Sequence, residues 1–406
     1  MRCPGYSRFG TCRFGEQGET SFAMTDHEAE QKGYSERLYG SQLPNSCCLV
    51  MHSFGGGAEK VALLLARELV LRGWAVSIAC LRKSSELARH VPAAVRLFMP
   101  ESPGHLASLR FLGRLRTIVR QSSVVIGTLE LQSLFVAALL APGRAIGWLH
   151  KDLQGYFATR SRLFVRLYKA LMTFAIRGSQ CIVCVSDGIV ASSRALWPGY
   201  AQRFVRVYNP LDTGEIERLS LEEMRQDVAD FFAKHKKVVL AVGRLEEQKN
   251  FVLLLEAFAL LKREMPDVAL CIAGEGSQRR MLEERASTLG VEVFMPGLVT
   301  PYPLMRASSV LTLTSRYEGF SLVLAEGLAL GLPIVAVDCP SGPAEVLEQG
   351  RFGRLVEADA TRIASALKET LLTREEVEEH QGRVRRAEAF SLENQMPRWM
   401  ELLRSS

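Results

Sequence analysis

Short apolar runs of strand length recur along this chain, each followed by a turn and then a stretch of helix length. From residue 47 the runs read "CCLVMHSF", "WAVSIACL", "SSVVIGTL", "RAIGWLH" and "QCIVCVS". After "FVRVYNPLD" the theme restarts with "KKVVLAVGRL", "VALCIAG", "VLTLTS" and "PIVAVDC". Continuous rather than alternating apolar runs suit strands buried on both faces, and strand–helix alternation builds parallel sheets covered by helices. At 406 residues the chain exceeds one ordinary core. The expected fold class is therefore α/β, with two Rossmann-like, doubly wound parallel-sheet domains facing across a cleft. The boundaries read as 47–208 and 209–388, hinged at the turn signal Asn209-Pro210, with an amphipathic tail helix over 389–406.

Residues 1–46 are polar and glycine-rich without an apolar block, so they read as a poorly ordered extension and not as a signal peptide. Met24 is an alternative start within it. No apolar run reaches the roughly 18 to 20 residues of a membrane span. Charge is divided unevenly: residues 47–208 carry 21 Lys and Arg against 7 Asp and Glu, whereas residues 209–406 carry 24 against 31. A basic first half suggests an anionic partner. Two segments carry much of that charge, "HLASLRFLGRLRTIVRQ" (105–121) and "FATRSRLFVRLYKALMTFAIRG" (157–178). Each fits a helix with one core face and one solvated face, and the pair also fits a surface resting on anionic lipid headgroups. The nine cysteines lack framework spacing, and Cys181 and Cys184 form a CxxC without a second pair, so neither a disulfide scaffold nor a zinc site is expected.

The chemistry concentrates in "TSRYEGFSLVLAEGLALGLP" (314–333), where Glu318 and Glu326 interrupt an otherwise apolar run. An unpaired buried carboxylate is costly, so both need partners. Ser315–Phe320 form the loop after a strand, at the end where doubly wound sheets bind ligands, and Ser321 is placed to cap the following helix. The backbone N–H groups that open that helix make an anion site lying between the two carboxylates. Nucleotide sugars present the complement: sugar hydroxyls, diphosphate, ribose hydroxyls. In "GRLEEQKN", Arg244 and Lys249 precede a helix with Asn250 at its cap, and two cations there suit a diphosphate.

The segment "SRYEGFSLVLAEGLALGLPIVAVDCPSGPAEVL" resembles the E-x7-E signature of retaining glycosyltransferase family 4, and "VGRLEEQKN" is similar to its Gly-Arg…Lys motif. "FGGGAEKVALLLARELVLRG", "CVSDGI" and "VYNPLD" match in kind and order, so the resemblance spans roughly residues 47–375. It implies the GT-B architecture, with the tail helix crossing back onto the first domain. It also implies that Arg244 and Lys249 hold the donor diphosphate, that Glu318 binds donor-sugar hydroxyls and that Glu326 binds the nucleotide ribose. Backbone amides at Gly319, Phe320, Ser321 and Leu322 would touch the phosphates. His150 matches the cleft histidine near the reacting carbon, and Gly55, Gly56 and Gly57 would approach from the first half.

The implied activity is retaining transfer of a hexose or N-acetylhexosamine, with no metal and no protein nucleophile, from a UDP-type donor. The implied acceptor is a lipid-linked, lipopolysaccharide or capsule glycan. No cofactor and no nucleic-acid partner is expected, and the implied location is cytoplasmic, with peripheral membrane contact. Where the bacterial surface-polysaccharide branch carries "GPRE", this chain has Ala344 before Glu345.

Three other readings are weighed. A nucleotide-sugar epimerase of the same fold would need acid–base groups in the first half, where Glu130 and Asp152 are the best placed. An NAD enzyme is disfavoured, because "GGGAEK" lacks the G-x-G-x-x-G spacing. A silent nucleotide-sugar-binding protein would keep the pocket without the reaction.

Overall fold

The computed structural model describes residues 45–52, 56–82, 90–100, 108–128, 131–158, 160–374 and 376–404. The expected extension lies outside these up to residue 44, as do Gly55, Glu130 and residues 105–107 of the first basic stretch. Ser46 is already the first residue of a strand.

Among the described residues the chain forms two parallel sheets. The first contains β1 (Ser46–Met51), β2 (Ala75–Cys80), β3 (Arg96–Phe98), β4 (Val124–Thr128), β5 (Ala145–Leu149), β6 (Ser179–Cys184) and β7 (Phe204–Arg206). Its order, β3-β2-β1-β4-β5-β6-β7, reverses direction between β1 and β4. The second contains β8 (Lys237–Val242), β9 (Val268–Ala273), β10 (Val310–Leu313), β11 (Ile334–Val337) and β12 (Arg354–Val356), ordered β12-β11-β10-β8-β9. Its reversal falls between β8 and β10. Residues 291–297 join this sheet only through one bridge, Phe294 to Cys271.

The helices of the first half are α1 (Gly57–Leu71), α2 (Ser108–Gln121), α3 (Leu131–Leu140), α4 (Leu153–Phe157), α5 (Arg162–Gly178) and α6 (Asp187–Leu196). The linker helices α7 (Thr213–Ser220) and α8 (Gln226–Lys234) follow. The second half adds α9 (Phe251–Glu264), α10 (Arg279–Leu289), α11 (Pro301–Ala307), α12 (Leu322–Ala329), α13 (Pro343–Val346), α14 (Ala360–Leu372), α15 (Val377–Glu388) and α16 (Leu392–Arg404). In α1, Val61, Ala62, Leu65, Ala66 and Leu69 form one buried stripe at helical spacing, and Gly73 ends the run in the left-handed region at φ +79°.

The chain crosses between halves twice, side by side. Leu211 N donates to Phe390 O at 2.8 Å and Leu392 N to Leu211 O at 3.0 Å. Beyond this crossing α16 lies against the first sheet: the rings of Trp399 and Trp148, both fully buried, meet edge-on at 4.7 Å. Tyr208 N also donates to Gln395 Oε1 at 3.2 Å. One apolar core therefore runs from the first sheet through Phe320, Phe390 and Trp399 to one face of the second. Trp399→Ala is expected to lower the unfolding free energy of the full chain by about 3–5 kcal/mol, measured by urea denaturation. A loss within experimental error would mean that the tail helix contributes no packing there.

Candidate active site

The two loops that carry the expected cations and carboxylates follow β8 and β10, the neighbours at the second sheet's switch point, where such sheets bind ligands. The loop after β8 is held by its neighbour after β9. A Cβ on Gly274, at φ +147°, would lie 1.9 Å from Gly243 O, and one on Gly276 would lie 2.4 Å from Leu245 O. Glu246 accepts from Ser277 N at 3.1 Å and from Ser277 Oγ at 2.9 Å. On this platform Arg244 is exposed, while Lys249 turns into the cleft.

Lys249 Nζ donates to Glu318 Oε1 at 2.7 Å, and Ser315 Oγ donates to the same oxygen at 2.6 Å. Glu318 is 6% exposed, so its charge depends on these partners. The loops are zipped further by Thr314 Oγ1 to Lys249 O at 3.0 Å, Arg316 N to Gln248 O at 2.8 Å and Gln248 Nε2 to Tyr317 O at 2.9 Å. Asn250 does not cap α9 with its side chain, as the sequence suggested. It sits in the left-handed region at φ 51°, bending the backbone so that its carbonyl and that of Lys249 meet Thr314.

Ser321 likewise departs from expectation. It takes φ 56° and makes no side-chain cap to α12, and its Oγ is buried without a hydrogen-bond partner. The first-turn N–H groups of α12 are thus left without a side-chain acceptor. On the far side of that helix start, Glu326 Oε1 accepts from Tyr302 Oη at 3.1 Å. Burial pushes the Glu326 carboxyl above its ordinary range, opposed by the charge of Lys60, the Tyr302 bond and the charge of Lys249. The order carboxylate, uncapped helix start, carboxylate is thus present in space.

The first domain closes the other wall. A Cβ on Gly57 would meet Leu322 Cδ1 at 3.0 Å, placing the start of α1 opposite the start of α12. A Cβ on Gly319 would lie 2.0 Å from His150 O, so only glycine allows this approach. A Cβ on Gly56 would lie 2.8 Å from Glu59 Oε2, the movable end of a side chain. The His150 ring lies 4.6 Å from the Trp148 ring, and both of its nitrogens are buried without a partner. Burial pushes its pKa down to about 3, so the imidazole is neutral at physiological pH. Phe320 sends its ring into the hinge, 5.5 Å from Tyr208 and 5.0 Å from Phe390.

Four residues were missed by reading the sequence: Ser315, Lys60, Tyr302 and Glu345. Glu345 Oε1 and Oε2 each accept from Asp187 N at 2.8 Å, and Oε2 also accepts from Gly188 N at 3.4 Å. A second-domain carboxylate thus sits on the N-terminus of first-domain helix α6, favoured by the helix dipole. Burial raises its pKa, and Tyr208 donates to it. Arg386 Nη2 holds the Glu345 carbonyl at 2.6 Å. Asp152 has a structural role instead. It is buried and caps α4, accepting from Gln154 N at 3.2 Å and Gly155 N at 2.9 Å. It is thereby removed as the acid–base group that an epimerase would need. Among the described residues no three His, Cys, Asp or Glu side chains converge as a metal-ligand set.

Residues 55–215 match the family model Glycosyltransferase Family 4, and residues 224–387 match Glycosyl transferases group 1. The chain belongs to the group 1, family 4 glycosyltransferases. It is 27% identical over 336 residues to the amylovoran biosynthesis glycosyltransferase AmsD of Erwinia amylovora, covering 80% of this chain and 89% of that one. It is 36% identical over 156 residues to a Campylobacter jejuni enzyme named N-acetylgalactosamine-N,N'-diacetylbacillosaminyl-diphospho-undecaprenol 4-alpha-N-acetylgalactosaminyltransferase. That match covers 38% of this chain and 40% of the relative. Among solved structures, Anabaena HepE in complex with UDP and glucose superposes with a TM-score of 0.71 at 20% identity, covering 89% of this chain and all of that one. WaaG, described as a glycosyltransferase involved in lipopolysaccharide biosynthesis, gives 0.66 at 16% identity over 88% and 98% of the two chains. These likenesses place the two-sheet scaffold of this glycosyltransferase within the GT-B fold.

Two outcomes are expected. Because the native His150 pKa lies below the ordinary 6.5, the unfolded chain binds the extra proton between those values, so stability falls as pH drops from about 6.5 towards about 3. Urea titrations at a series of pH values should show a smaller slope for His150→Gln than for wild type. Glu345→Ala should cost about 1–3 kcal/mol by orphaning the α6 N–H groups, and should enlarge the scattering radius as the halves separate. Glu345→Gln should recover part of both.

Proposed function

We propose that this glycosyltransferase moves a hexosyl or N-acetylhexosaminyl group from a UDP-linked donor to a lipid-linked or polysaccharide-chain glycan acceptor. The observation that carries the reading is the Lys249–Glu318–Ser315 cluster beside the uncapped start of α12, with Glu326 beyond it. The UDP donor rests on the solved HepE complexes with UDP and with UDP-glucose, and the acceptor class on the names of the polysaccharide and diphospho-undecaprenol relatives.

In this reading Glu318 accepts from donor-sugar hydroxyls, and the diphosphate lies against the backbone amides at 319–322, leading into α12, and the Gly56–Gly57 turn. Arg244 and Lys249 neutralise the charge that grows on the departing phosphate, as a divalent metal does in other transferases. Glu326 accepts from the ribose hydroxyls. The C1–phosphate oxygen bond breaks while the acceptor oxygen bonds C1 on the same face. Same-face attack keeps the anomeric configuration, and the acceptor proton passes to the departing phosphate oxygen. His150, neutral, can donate one hydrogen bond and accept another at the sugar without adding charge beside the reacting carbon.

The test is consumption of a panel of nucleotide sugars, with and without EDTA, and the anomeric configuration of the product by NMR. A UDP-sugar consumed equally in EDTA, with the configuration kept, is the expected result; loss of turnover in EDTA or inversion would overturn the metal-free retaining mechanism. Arg244→Ala should lower kcat/KM by about 100–1,000-fold without loss of stability, since the side chain is exposed. Lys249→Ala should lower it comparably but also destabilise the fold, because Glu318 loses its counter-charge.

A further inference from the structure

In helix α1 (Gly57–Leu71), Gly57, Lys60, Leu64 and Arg67 follow one another at spacings of three, four and three residues, so they share one face. Both ends of that face touch the second half of the chain. At the N-terminal end a Cβ on Gly57 would meet Leu322 Cδ1 at 3.0 Å, where α12 begins. Toward the other end Arg67 Nη2 donates to Asp212 Oδ2 at 2.5 Å. Asp212 in turn caps α7, accepting from Glu215 N at 2.9 Å. Helix α7 packs on α11 and α12, which carry Tyr302 and Glu326. Lys60 stands between these two contacts, on the face of α1 that looks onto the Glu326 side of the cleft.

Electrostatics agree with this placement. Burial pushes the Glu326 carboxyl up, and the largest opposing effect is the charge of Lys60, ahead of the Tyr302 hydrogen bond and the charge of Lys249. Lys60 is itself exposed. Arg67 and Arg72 of the same helix are paired with Asp212 and Glu68. Among the described residues no carboxylate stands at ion-pair distance from Lys60. Its ammonium is therefore near Glu326 without being consumed by it, and its donors are open to a ligand.

We propose that Lys60 is a donor-binding residue of the first domain, its ammonium contacting the phosphate next to the ribose that Glu326 holds. The proposal rests on the donor site read above and adds to it a ligand from the opposite wall. Arg244 and Lys249 both come from the loop after β8, and Lys249 is drawn to Glu318, at the sugar end of the site. A nucleoside diphosphate carries charge on both phosphates, and the one nearer the nucleoside lies toward Glu326. A lysine suits that position, because its compact charge rides on a flexible stem and needs no fixed fork of acceptors. The contact is remote from the bond that breaks, so it is made equally in the ground state and the transition state.

The test measures binding of uridine, adenosine and guanosine and of their mono- and diphosphates to the full chain, by NMR titration and calorimetry at low salt. For the base that wild type accepts, Lys60→Gln should weaken the mono- and diphosphate about tenfold and leave the nucleoside unchanged. Lys60→Arg should keep most of the affinity. In turnover Lys60→Gln should raise KM for the donor about tenfold with kcat within about threefold. Because the side chain is exposed, thermal unfolding of both variants should match wild type. Phosphate binding by Lys60→Gln equal to that of wild type would overturn the proposal. So would an equal loss for nucleoside and nucleotide, which would mean that Lys60 serves only to keep Glu326 charged. A fall in kcat at constant KM would also overturn it. Wild type that bound none of the nine compounds would overturn the donor-site reading itself, and this proposal with it, so the two failures are distinguishable.

Discussion

The site depends on how closely two backbones approach. Gly319, in the loop after β10, presses against the carbonyl of His150, the residue just past β5 of the other sheet; an ordinary side chain at 319 would overlap that oxygen. Around this contact lie Lys249 from the loop after β8, Glu318 and the start of α12 from the loop after β10, and the His150 ring just past β5. Lys249 and His150 come to Glu318 from distant parts of the chain. Glu345 on the α6 N-terminus and the paired crossings at Leu211 and Leu392 hold the two halves at the separation the contact requires. The aromatic packing of Tyr208, Phe320 and Phe390 fills the hinge between them.

Burial of Glu318 has an energetic consequence. A carboxylate taken out of water loses hydration worth several kcal/mol, and one lysine with one hydroxyl offsets that only when both are held in place. The zipper from Thr314, Arg316 and Gln248 supplies that rigidity. The carboxylate is therefore already oriented, and the cation already paired, before any ligand arrives. A diphosphate that drew Lys249 partly away would need to return hydrogen bonds to Glu318, and sugar hydroxyls are donors that can do so. On the proposed function, binding of the two ends of one ligand would thereby be coupled through a single ion pair.

Much of this was legible in the sequence because it depends on local pattern. Strand runs with intervening helices identify two parallel sheets, and Glu318, Glu326, Arg244 and Lys249 fall on loops or helix starts that any doubly wound sheet brings to its binding edge. What was not legible depends on tertiary contact. Ser315 and Tyr302 look like ordinary strand-end and helix residues until their oxygens are seen to meet Glu318 and Glu326. Lys60 reads as the polar side of α1, and only the apposition of α1 with α12 brings its charge to bear on Glu326. Asn250 and Ser321 were misjudged for one reason. Their residue types favour side-chain capping, yet close packing of neighbouring loops puts both backbones in the left-handed region, where the side chain no longer points at the helix N–H groups. Glu345 was seen only as the residue after an atypical alanine, because its partners lie in the other half of the chain.

The division of charge follows from the division of labour between the halves. On the proposed function, the second half would handle a soluble, highly charged ligand and would need its cations at the cleft, opposite carboxylates that accept from hydroxyls. Its surface is accordingly rich in paired charges, such as Arg279 with Glu275 and Glu283, or Arg218 with Glu215 and Glu222. Exposed pairs of this kind contribute little stability and present no strong field to the outside. The first half brings Lys60 near Glu326 but carries a row of cations on α5 as well, where no acid of that helix answers them. A neutral His150 is consistent with the proposed function: Arg244 and Lys249 would supply the positive charge, so an imidazolium on the opposite wall would be unnecessary, and burial disfavours it.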